Sequence, residues 1–116
     1  MGRLLIALLM IAALNADAQS AKTNGPDCGG GWPTNMAQAT LKNAGLLNNM
    51  EIDFTKTKTT RLASEKVGKD LWHQVYFVTF FKRSGDRIQA IVVHDASSEE
   101  CSMTGVDVYV VSRVLK

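Results

Sequence analysis

Two histidines, His73 and His94, are the only imidazoles in the chain, and both fall in segments dense in β-branched and aromatic residues. On adjacent strands of one sheet face, they could join a carboxylate such as Asp107 in a metal site. That set is incomplete for zinc, and neither an H-x-x-x-H nor an H-E-x-x-H spacing occurs. His94-Asp95 followed by Ser97, Ser98 and Ser102 supplies the residue types of a hydrolase triad. Successive strand residues point to opposite faces, so Asp95 cannot orient the His94 ring, and there is no G-x-S-x-G elbow. Glu99-Glu100 has no carboxylate partner at a defined separation, and a small domain offers little cleft for glycosidase chemistry. The expectation is a protein without catalytic residues, metal or cofactor.

Cys28 and Cys101 are the only cysteines. They lack the C-x-x-C spacing of redox or zinc sites, and an even pair in an exported chain reads as one disulfide. Export is itself indicated by residues 1–18. Arg3 precedes an unbroken apolar run from Leu4 to Leu14, and Ala16-Asp17-Ala18 has the small-x-small form of a signal peptidase site. The run is shorter than a bilayer-spanning helix, so it reads as a secretory signal rather than an anchor. No cysteine lies where a lipobox would need one. The expected organisation is a signal peptide over 1–18, a flexible glycine-rich arm over 19–31 and a single domain over 32–116, in the periplasm or secreted.

The elements that position these side chains follow from periodicity. Trp32-Pro33-Thr34-Asn35 opens a helix, with Asn35 or Thr34 as cap and Gln38 completing a capping box. Met36, Ala37, Thr40, Leu41, Ala44 and Leu47 share one side of a 3.6-residue wheel. Gly45 weakens or ends the helix, and Asn48-Asn49 stops it in any case. The period then becomes two. Met50, Ile52 and Phe54 begin a first strand that runs on through Lys56–Thr60, and Ser64–Lys69 reads as a turn. Lys69–Arg83 is the strongest strand, Ser84-Gly85-Asp86 a tight hairpin, Arg87–Asp95 a third strand and Gly105–Leu115 a fourth. The predicted fold is α+β, one N-terminal helix packed on a curved four-stranded antiparallel sheet with one disulfide.

A two-residue hairpin at Ser84-Gly85 or Gly85-Asp86 pairs odd positions with even ones. It places Leu71, His73, Val75, Phe77, Thr79 and Phe81 with Ile88, Ala90, Val92 and His94. The opposite face then holds Trp72, Gln74, Tyr76, Val78 and Phe80 with Gln89, Ile91 and Val93. Both faces are apolar and one helix covers only one of them. The other face must be sheltered by the N-terminal arm, by sheet curvature or by another molecule; in the last case Trp72, Tyr76 and Phe80, together with the loops Ser64–Asp70 and Ala96–Thr104, are the expected interaction surface.

The formal net charge is only +2, too small to require a nucleic acid or an anionic membrane. Lys56, Lys58, Arg61, Lys66 and Lys69 cluster, but no aromatics interleave for base stacking, and edge lysines protect a strand from pairing with other chains. Gly29-Gly30-Gly31 lacks the preceding strand and following lysine of a phosphate loop.

The order of one helix and four antiparallel strands resembles the cystatin-like architecture, a curved sheet wrapped around a helix, over most of the chain after the signal. Cystatins block proteases with a glycine before the helix, a Q-x-V-x-G hairpin and a proline-tryptophan hairpin. Here Gly29–Gly31 precede the helix, while Gln74-Val75 sits inside a strand with Val78 in place of the motif's glycine, and no later proline-tryptophan occurs. No cystatin site residue carries over. The chain also resembles small single-disulfide exported proteins of Gram-negative bacteria, which implies a compartment. The expected function is an exported, non-enzymatic binding module. It would engage an unidentified protein or pair with its own copy as a homodimer, and its mature form would not be embedded in the membrane. The second reading is an inhibitor or immunity-type protein that blocks a hydrolase with a loop.

Overall fold

The structure, a computed structural model, describes residues 24–111. The expected signal peptide, the first part of the arm and the end of the fourth strand lie outside the described residues. Helix α1, Trp32–Asn43, begins at a Gly31 cap with no side-chain cap bond. It starts ahead of both expected caps because Pro33 suits the first turn, where its missing N–H costs nothing. Gly45, at φ +76°, ends it as a Schellman motif. The Leu46 amide donates to the Leu41 carbonyl at 2.9 Å and the Gly45 amide to the Lys42 carbonyl at 3.0 Å.

The strand expected from Met50 forms two 3-10 turns instead, Asn49–Glu51 and Phe54–Lys56. Each is set by the acceptor before it. Asn48 takes the Met50 amide at 3.0 Å and Asp53 takes the Thr55 amide at 3.1 Å, a local bond that competes with a sheet ladder. The first strand is β1, Lys58–Gly68, so it runs through the expected Ser64–Lys69 turn. β2 is Leu71–Phe81, β3 is Arg87–Ala96 and β4 is Asp107–Val111. They form an antiparallel sheet in sequence order. β1 carries register shifts between Arg61 and Ala63 and between Lys66 and Gly68. Such bulges twist an edge away from further pairing.

The β2–β3 register corrects the expected faces. Phe81 pairs with Arg87 and Trp72 with Ala96, so residues 82–86 form the loop in place of a two-residue turn. The Lys82 amide donates to the Asp86 carbonyl at 2.7 Å, and Gly85 adopts φ +100°. Odd positions therefore pair with odd ones, and a slip of one residue exchanges the two faces of β3. One face collects Trp72, Gln74, Tyr76, Val78 and Phe80 with Ile88, Ala90, Val92, His94 and Ala96. Ala37 and Leu41 of α1 pack there, with Leu47, Ile52 and Cys28 in the same cluster. The described residues are thus α+β, one helix on a four-stranded antiparallel sheet, closed by a disulfide from Cys28 to Cys101 with Cα atoms 5.8 Å apart.

The arm, expected to be flexible, is tied down from Asn24 onward. The Asn24 carbonyl accepts from Ser64 Oγ at 2.5 Å, and the Pro26 carbonyl accepts from Gln74 Nε2 at 2.8 Å and from Arg61 Nη1 at 3.1 Å. Gly25 lies against the Trp72 indole so closely that a Cβ there would sit 2.7 Å from Cγ of the ring.

Candidate functional site: the sheet face opposite the helix

The residues expected to form an interaction surface are the core. Trp72, Tyr76 and Phe80 are 6%, 1% and 0% exposed, on the sheet face against which α1 and the arm pack. The loop 96–104 is held in place. Ser97 accepts the Glu100 amide at its Oγ, and Asp70 accepts both the Ser98 amide and its hydroxyl at 3.1 Å.

The opposite face presents Val75, Phe77 and Phe81 of β2, Ile91 and Val93 of β3, and Tyr109 of β4. The described helix, arm and disulfide loop pack on the even-numbered side; this stripe is half-buried and Tyr109 is 58% exposed. Cross-strand register sets Phe77, Ile91 and Tyr109 in one row across the middle of the sheet. Such rows of aromatic and β-branched residues support one another within a sheet face, and a contiguous apolar patch on a surface marks an interaction site.

The two ends of this face carry opposite charge. Lys58 and Arg87 stand near the 82–86 loop, with Lys58 Nζ 5.7 Å from the centroid of the Phe81 ring. At the far end Glu65 pairs in register with His73, His73 pairs with Asp95, and Asp107 pairs with Val93. His73 Nδ1 lies 2.5 Å from Asp95 Oδ1. Asp95 is itself fixed, since its amide donates to Thr104 Oγ1 at 2.9 Å and its carbonyl accepts from Met103 at 3.3 Å.

This dyad is a corrected relationship. Sequence reasoning rightly separated Asp95 from His94 but placed His73 and His94 together, whereas the structure puts them on opposite faces. The missed signal was the length of the 82–86 loop, which decides which histidine Asp95 meets. An Asp–His pair can orient an imidazole as a general base. Among the described residues, the only hydrogen bond to the His73 ring is that of Asp95, and no group of three or more His, Cys, Asp or Glu could hold a metal.

His94 is 2% exposed and lies in the core, its ring centroid 5.7 Å from that of Tyr76. Its Nδ1 donates to the Cys101 carbonyl at 2.9 Å, while Nε2 is buried with no hydrogen-bond partner among the described residues. Burial holds its pKa below the usual histidine value. Among the described residues, no helix is long and apolar enough to cross a membrane. No protein-family model, curated protein or solved structure significantly matches the chain.

Proposed function

We propose that this chain is an exported, non-enzymatic binding module that engages a protein partner through the sheet face of Val75, Phe77, Ile91, Val93 and Tyr109. One observation carries the reading: an apolar stripe flanked by charge, on the side of the sheet that the described helix, arm and loop leave open. An apolar centre with a polar rim is the usual anatomy of a protein interface. Export, to the periplasm or beyond the cell, is supported by the Cys28–Cys101 disulfide, a bond that persists in oxidising compartments. The signal-like residues 1–18 point the same way.

The experiment uses paired baits. Wild-type protein and Ile91→Glu are immobilised and exposed to envelope and extracellular fractions of the producing organism. Proteins captured by the wild type and absent from Ile91→Glu support the reading, and identical profiles contradict it. A captured hydrolase that loses activity on binding would replace the general module with the inhibitor reading.

A further inference from the structure

We propose that the partner of this face is a second copy of the same chain, packed sheet against sheet about a two-fold axis that runs across the strands through the row of Phe77, Ile91 and Tyr109. The inference rests on the binding-module reading and names its occupant.

The placement of charge leads to it. A two-fold in that direction reverses the strands of the second copy while keeping each strand over itself. It therefore lays the end bearing Lys58 and Arg87 against the end bearing Glu65, Asp95 and Asp107. Register makes the match specific. Phe77 lies midway between His73 and Phe81 on β2, and Ile91, its cross-strand partner, lies midway between Arg87 and Asp95 on β3. Centring the axis on that pair puts Arg87 opposite Asp95 of the second copy. It also puts Phe81 opposite His73 of the second copy, beside that copy's Glu65. Lys58 already extends its ammonium toward the Phe81 ring, so it arrives where that Glu65 stands. Phe77, Ile91 and Tyr109 each meet their own counterpart, as an isologous interface requires. The axis parallel to the strands would instead oppose like charges, which is costly at an interface.

The area sets the strength. Strands of 11, 11, 10 and 5 residues, about 4.8 Å apart and rising about 3.3 Å per residue, present roughly 600 Å² per copy. About 1,200 Å² for the pair is the lower end of specific interfaces. An interface at that end of the range suits a reversible dimer.

Sedimentation of the disulfide-intact protein across a concentration series tests this, with Lys58→Glu and Glu65→Lys as variants. Both positions are exposed, and circular dichroism establishes that each variant is folded. Wild type should pass from monomer to dimer. Each single variant sets like charges together twice per dimer and should dimerise about tenfold more weakly. An equimolar mixture of the two should recover association as a heterodimer, because the reversed charges complement each other. Wild type that stays monomeric at high concentration, or dimers indifferent to both variants and their mixture, would overturn the proposal. The paired-bait experiment then decides separately whether the face binds anything else.

Discussion

The Tyr76 hydroxyl accepts the Cys28 amide at 2.8 Å and donates to Gln74 Oε1 at 3.3 Å. One phenol thus joins the arm, the disulfide and the buried amide of β2. Gln74 is 0% exposed and bonds onward to Pro26 and Ser64. The network satisfies buried groups that would otherwise be costly. Tyr76→Phe leaves the buried Cys28 amide without this acceptor, and chemical denaturation should record a loss of about 1–3 kcal/mol. A change within experimental error would mean that the arm is not held by this contact.

Gly25 adopts φ +78° beneath the Trp72 indole. Gly25→Ala adds both a left-handed strain and a collision with the ring. The expected cost is about 1–3 kcal/mol, with altered near-ultraviolet dichroism from Trp72. Unchanged dichroism and stability would place the arm elsewhere.

Cys28 and Cys101 are 73 residues apart. For a loop of that length the chain-entropy model assigns the bridge roughly 4 kcal/mol, a large share of the stability of a small domain. Replacing both cysteines with alanine should lower the unfolding free energy by about that amount. Equal stability of the two proteins would remove the disulfide from the account.

His94 provides a pH signature. Its folded-state pKa is lowered from 6.5, first by burial, so the unfolded chain binds the proton more readily. The stability linked to this group is therefore present above about pH 6.5 and is lost as pH falls toward the folded value. His94→Gln keeps a donor for Cys101 and does not titrate in this range. Stability of wild type minus that of His94→Gln should decline as pH falls below 6.5, and a flat difference would show that His94 does not remain neutral in the fold.

The helix, the strong strands and the disulfide were legible because each depends on local pattern: Ala37 and Leu41 one turn apart, a dense run of aromatic and β-branched residues through β2, an even cysteine pair. The faces were not. Ser84-Gly85 reads as a two-residue turn, yet the chain closes over 82–86, and that single step moved Ile88, Ala90, Val92 and His94 to the other side of the pairing. Both faces of β2 are apolar, and no local pattern says which one the helix covers, so the true core, Trp72, Tyr76 and Phe80, was expected as the candidate open surface. β1 was misplaced for a related reason: Asn48 and Asp53 capture nearby amides, while β1 itself is mostly polar and gains its order from pairing with β2.

Adjacent residues of β3 separate the two faces. Ile91 is half-buried on the open side, whereas Val92 is 0% exposed. Ile91→Glu should fold with a loss of about 1 kcal/mol, while Val92→Glu buries an uncompensated charge and should cost more than about 4 kcal/mol. Comparable losses at the two positions would contradict the register.

The most direct measurement places a small photoreactive diazirine side chain at Phe77 or at Phe80 and irradiates the folded protein in its producing cells. The account predicts intermolecular adducts from position 77, including covalent dimers, and only intrachain products from the fully buried position 80. Adducts between molecules from position 80, or none from position 77, would contradict the claim that this protein works through the face turned away from its helix.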